Sequence, residues 1–169
     1  MLIFLLGMMG AGKSTLGREL AAALQCTFID LDEYIIARVQ KTIAELFEQH
    51  GPDKFRVLER QALEAVTKEY TNAVIATGGG TPCFFDNMAF INSKGKSIFL
   101  DVPAQEIFNR LKATDLTARP LLACKTDAAL KEFITTTLAH RMEFYRQAHH
   151  TISSNSCTAK ELLAIVNNK

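Results

Sequence analysis

The residues most able to do chemistry lie near the start of the chain. Gly7-Met8-Met9-Gly10-Ala11-Gly12-Lys13-Ser14-Thr15 carries the spacing G-x-x-x-x-G-K-[ST]. A loop of this kind cradles phosphate. Its glycines permit positive φ and let backbone N–H groups close on an anion. The lysine brings a point charge to the β- and γ-phosphates, and the serine hydroxyl is a ligand for Mg²⁺. Gly10, Ala11, Gly12, Lys13, Ser14 and Thr15 are therefore the candidate phosphate contacts, with Lys13 also catalytic and Ser14 on the metal.

Such a loop works only between a strand and a helix. The apolar run Leu2-Ile3-Phe4-Leu5-Leu6 precedes it, and Leu16, Leu20, Ala23 and Leu24 recur at helical spacing after it. The helix would turn its free N–H groups and the positive end of its dipole toward the anion. The competing reading is an ordinary strand-to-helix turn with Ser14 as N-cap. The joint match of Gly7, Gly12, Lys13 and Ser14 in this context speaks against it.

Further strand-like runs follow at Thr27–Leu31, Ala73–Thr77, Ser97–Val102 and, more weakly, His149–Ser153. Helical spacing predicts helices near Lys13–Leu24, Thr42–Gln49, Asp53–Glu69, Phe84–Asn92, Pro103–Leu111, Ala128–Arg146 and Ala159–Asn167. Alternation of this kind builds a mostly parallel sheet with helices on both faces. Ligands then bind beyond the carboxyl ends of the strands, so the residues just after each strand are the ones to weigh.

After the second strand stands Asp30-Leu31-Asp32. Strand alternation predicts both carboxylates on one side and Leu31 on the other. A pair of carboxylates beside a phosphate site suits Mg²⁺, directly or through its waters. One of them could accept the proton of a substrate hydroxyl. Alternatively Asp32 only caps the next helix.

Arg56 and Glu59 share a helix face. As an exposed pair they would contribute only ~0.3 kcal/mol, and spacing alone favours that reading. The other has Glu59 holding the guanidinium for a substrate carboxylate. Gly78-Gly79-Gly80 follows the third strand. Three glycines are costly in backbone entropy and suit a close approach to a ligand, though a tight turn before Thr81-Pro82 would also use them.

The polar stretch 112–126 lacks a clear period and carries Arg119-Pro120-Leu121-Leu122. It reads as a lid whose arginine could offset charge on a transferring phosphoryl group, or else as a solvated loop. Arg141 lies on a long helix with Tyr145 one turn on; taken alone, it reads as a surface arginine over a packed tyrosine. His149 and His150 read as structural, and Met142, Phe144, Leu162, Leu163 and Ile165 as core.

Composition narrows the class. The 169 residues suffice for one domain, 1–169, with the lid at 112–126 included. A formal net charge of +1 gives no reason to expect nucleic acid or a membrane surface as partner. The first apolar run is too short for a secretion signal, and nothing approaches a membrane span. Cys26, Cys83, Cys124 and Cys157 show no metal-binding spacing and read as free thiols in a reducing cytoplasm. No long apolar stripe calls for a partner subunit, so a monomer is expected.

Taken together, the phosphate loop, Phe28-Ile29-Asp30-Leu31-Asp32, Phe55-Arg56 with Glu59, Gly78–Gly80, Arg119-Pro120-Leu121-Leu122 and Arg141 with Tyr145 resemble the shikimate kinases nearly end to end. That resemblance implies an α/β P-loop kinase fold, with a five-stranded parallel sheet in order 2-3-1-4-5, helices on both faces and a mobile lid. It implies an alcohol-acceptor phosphotransferase of aromatic amino-acid biosynthesis, moving the γ-phosphate of ATP to the 3-hydroxyl of shikimate. The products would be shikimate 3-phosphate and ADP. Arg56, Arg141, Asp32 and Gly78, Gly79 and Gly80 would bind shikimate. Lys13, Ser14, Arg119 and Lys112 would serve ATP, with Asp30 near the Mg²⁺ shell. Lys112 stands where many members place an arginine that stacks on adenine. Catalysis would rest on Lys13, Asp32 and Arg119. Two rival readings are a related kinase of another small alcohol, such as gluconate, and a nucleotide-dependent switch with no acceptor.

Overall fold

In the computed structural model β1 (Leu2–Leu6) is buried along its whole length. A strand covered on both faces reads as a continuous apolar run, which is how Leu2-Ile3-Phe4-Leu5-Leu6 reads. It pairs in parallel with β3 (Ala73–Ala76) on one side and β4 (Lys96–Asp101) on the other. Outside these lie β2 (Thr27–Asp30) and β5 (His150–Ser153), completing the order β2-β3-β1-β4-β5. The structure describes residues 1–113, 126–153 and 157–167. Arg119 and nearly all of the expected lid at 112–126 lie outside these.

Register decides where ligands can meet. Asp30 pairs with Ala76, and Ala76 with Leu5. The loops after β1, β2 and β3 therefore emerge at one edge of the sheet. Among the described residues the helices α1 (Lys13–Ala23), α2 (Leu31–Val39), α3 (Ile43–Glu69), α4 (Asn87–Lys94), α5 (Ala104–Lys112) and α6 (Asp127–Tyr145) lie between strands, and α7 (Ala159–Asn167) follows the last one. α1 packs closely on the sheet: a Cβ at Gly17 would fall 2.4 Å from the Phe28 ring. α1 also meets α7, and α5 meets α6.

Three elements depart from the sequence expectation. Spacing predicts strand to Leu31 and no element over 33–39, whereas α2 starts at Leu31 and buries Leu31 and Ile35. The helices expected at 42–49 and 53–69 are two arms of α3, joined through Gly51 (φ 73, ψ 174) with Pro52 opening the second arm. Thr42 and Glu45 form a capping box at its start, satisfying N–H groups the first turn leaves free. The helix expected from Phe84 begins only at Asn87, because Phe84 is extended and Phe85 is left-handed at φ 52.

Cys26, Cys83 and Cys157 are free thiols. Among the described residues no helix is long and apolar enough to cross a membrane.

Candidate functional site

Gly7, Gly10 and Gly12 have φ of 140°, 79° and 95°, a region closed to most side chains. They wrap the loop around the N-terminus of α1, whose N-cap is Gly12 rather than Ser14. Lys13 is largely buried beneath the loop and donates from Nζ to the Gly7 and Met8 carbonyls at 2.9 and 3.0 Å. The loop borders a cavity of about 1070 Å³, which Gly10, Ala11, Gly12, Lys13, Ser14 and Thr15 all line.

Ser14 Oγ donates to Asp30 Oδ2 at 2.6 Å. The other carboxylate oxygen, Oδ1, accepts from the Asp32 backbone N–H at 3.1 Å. Asp30, not Asp32, is thus the N-cap of α2, and the strand-alternation picture of the two carboxylates fails because Asp32 is already helical. Both still reach the cavity. Burial, then the neighbouring Glu59 and Asp30 carboxylates, push the Asp32 carboxyl up to about 6.

The opposite wall is built by α3, α6 and the loop after β3. Glu59 is fully buried and ion-paired to Arg56 Nη1. Its Oε1 accepts from Thr81 Oγ1 at 2.6 Å. The exposed-pair reading of Arg56 and Glu59 is therefore wrong: their side chains retain 11% and 2% of their surface. The three glycines lie outside the left-handed region. What they provide is room. A Cβ at Gly78 would fall 2.6 Å from Glu59 Oε1, and one at Gly79 3.1 Å from Arg141 Nη1. Arg141 Nη1 also touches Met8 Sδ at 3.6 Å, which ties it to the phosphate loop. Arg141 lines the cavity rather than standing free on the surface.

Of the positions expected in the site, Lys112 is not in the cavity wall; it is exposed and ion-paired to Asp127. Two residues earlier on α5, on the opposite face of the helix, Arg110 lines the cavity and reaches the Gly10 and Ala11 carbonyls at 3.4 Å. Sequence reasoning passed over Arg110, although it stands between Ile107 and Leu111, the apolar positions that turn α5 inward. An apolar flank from Ile43, Phe47 and Phe55 was also missed. Its spacing along α3 reads as core, since residues that line a pocket and residues that fill a core look alike in sequence.

A parallel sheet ordered β2-β3-β1-β4-β5, with a glycine-rich phosphate loop after the central strand, is the P-loop kinase fold. The chain belongs to the shikimate kinase family, whose model matches residues 9–167. The shikimate kinase of Phocaeicola vulgatus is 46% identical over 158 residues, covering 94% of this chain and 89% of that one. Among solved structures, shikimate kinase from Bacteroides thetaiotaomicron superposes with a TM-score of 0.92 at 43% identity, covering 97% of each chain. Shikimate kinase from Acinetobacter baumannii, solved in complex with shikimate, gives 0.88 at 34% identity, over 99% of this chain and 94% of that one.

Proposed function

We propose that this chain transfers the γ-phosphoryl group of ATP to the 3-hydroxyl of shikimate, acting as one domain over residues 1–169. The observation that carries this reading is a single cavity with a phosphate loop on one side and the set Asp32, Arg56, Arg141 and Gly78–Gly80 on the other. A nearly neutral chain that gathers two arginines there is suited to a small acid. In this reading Arg56 and Arg141 grip the carboxylate of shikimate, and the glycine run lies against its ring. Asp32 orients the hydroxyl and takes its proton. Lys13 and the loop amides hold the phosphates and offset charge that develops during transfer, while Arg110 flanks the nucleotide.

The donor set also suits Mg²⁺. No cluster of three or more His, Cys, Asp or Glu side chains able to hold a metal occurs among the described residues. Mg²⁺ in kinase sites needs none, because it keeps waters and binds through one or two protein oxygens plus substrate phosphates. Ser14 Oγ and the Asp30 carboxylate, side by side at the cavity edge, would hold it; when bound it neutralises phosphate charge. In this reading the chain acts as a monomer. Free thiols at Cys26, Cys83 and Cys157 support a reducing, cytoplasmic setting.

The test is a coupled ADP-release assay run with shikimate, with gluconate and without acceptor. ADP should appear at a substantial rate with shikimate only. Equal release without acceptor, or a preference for gluconate, overturns the reading.

A further inference from the structure

Arg56 is enclosed on more sides than its ion pair with Glu59 requires. Its guanidinium carbon lies 4.3 Å from the centroid of the Phe84 ring and 5.4 Å from that of Phe55. Gly80 comes so close that a Cβ there would stand 2.6 to 2.9 Å from Nη1, Cζ and Nη2. Among the described residues the buried Arg56 Nε has no hydrogen-bond partner. Phe84 is the outermost of these neighbours, with 40% of its surface open to solvent. The ring is more open than a core phenylalanine, and the contact that marks it out is the cation beneath it.

The backbone is bent to put it there. Phe84 leaves the 3-10 turn Thr81–Cys83 in an extended conformation, and Phe85 directly after it is left-handed at φ 52. A bulky residue is an outlier in that region, and such strain persists only where the surroundings impose it, often beside functional sites.

We propose that Phe84 is a positioning residue for the acceptor, its ring fixing and shielding the Arg56 guanidinium. This rests on the reading of Arg56 as the partner of the shikimate carboxylate. The chemistry of the ring suits the task. A cation within about 6 Å of an aromatic face is attracted by the quadrupole, more strongly where water is excluded. Glu59 already occupies Nη1. A second carboxylate would consume the N–H donors that an incoming acid needs, whereas a ring holds the cation and leaves them available. Phe84 thus acts on acceptor binding, through Arg56, and not on the phosphoryl group.

Steady-state kinetics with shikimate and ATP varied separately test this on wild type and on Phe84→Ala, Phe84→Leu, Phe84→Tyr and Phe84→Trp. Phe84→Ala should raise the KM for shikimate about tenfold, with the KM for ATP within about twofold and kcat within about threefold of wild type. Phe84→Tyr and Phe84→Trp should restore the shikimate KM, and Phe84→Leu should not. The chain has no native tryptophan, so emission from Phe84→Trp should respond to shikimate but not to ATP alone. An unchanged shikimate KM in Phe84→Ala, equal rises for both substrates, or full rescue by leucine overturns the proposal. A wild-type protein that does not phosphorylate shikimate removes the functional reading, and this proposal with it.

Discussion

Tyr145 Oη donates to the Gly79 carbonyl at 2.5 Å, joining the end of α6 to the middle of the glycine run. The tyrosine ring is fully buried and stacks on Phe99 with centroids 4.9 Å apart. Burial pushes its pKa up, so the hydroxyl stays a donor at any pH the enzyme meets. Arg141 projects from the same helix one turn earlier, and its Nη1 leaves no slack over Gly79. The bond therefore sets the spacing between the glycine backbone and that arginine.

Tyr145→Phe should leave a partly buried carbonyl without its donor. An unsatisfied group of this kind costs about 1–3 kcal/mol. For a chain of this size each kcal/mol lowers the melting temperature by about 2–4 °C. Urea denaturation would show a lower midpoint at unchanged slope, and the KM for shikimate should rise as Gly79 relaxes.

Arg56→Ala and Arg141→Ala each remove a charged partner of the acceptor. Loss of about 2–5 kcal/mol in kcat/KM for shikimate is expected, read from initial rates. Nucleotide binding, followed by calorimetry with ADP, should persist in both. Lys112→Ala, altering an exposed pair with Asp127, should leave both parameters within about twofold. Unaltered shikimate kinetics in either arginine variant would falsify the acceptor-site assignment.

Asp32 links activity to stability through pH. Its folded pKa is raised from 3.8 to about 6. The native chain consequently holds a proton that the unfolded chain has lost between these values, and stability falls as pH rises through that window. Asp32→Asn should therefore stabilise the fold at pH 7 by up to about 3 kcal/mol, and should gain much less at pH 4. Transfer should drop about a hundredfold or more. In the wild type kcat/KM should decline below an apparent pKa near 6, and this limb should vanish in the variant. Denaturation at both pH values, beside a pH–rate profile, checks both halves.

Gly80→Ala separates space from conformational freedom. Its φ is −92°, a value alanine adopts without strain. The methyl would nevertheless meet Arg56 Nη1 at 2.6 Å. The guanidinium must give way, and a misplacement near 1 Å can cost about a hundredfold in rate. Shikimate turnover should fall by about 10–100-fold, and crowding a guanidinium this enclosed should also lower stability by about 1–3 kcal/mol. Unchanged turnover would show that the guanidinium has room to yield.

The phosphate-binding half was the more legible in sequence. Gly7 through Thr15 is contiguous, and its glycines have the torsions the motif demands. The strand order followed from resemblance. The acceptor half is assembled from α3, α6 and a loop, and spacing within any one of them is compatible with an ordinary surface. Arg56 and Glu59 looked like a solvated pair because burial depends on what the loop after β3 lays over them. α2 escaped because Leu31 fits a strand and a helix start equally, and only the Asp30 cap decides between them. Phe84 and Phe85 read as helical because a left-handed phenylalanine has no sequence signature.

Glu59 grips Arg56 through one oxygen and Thr81 through the other, with Gly78 pressed against it. One rivet therefore fastens two separately encoded pieces of the pocket. Anyone retooling this scaffold for a bulkier or uncharged alcohol would have to exchange those positions as a block. Changing them singly would strand a carboxylate in the interior before any new specificity could emerge.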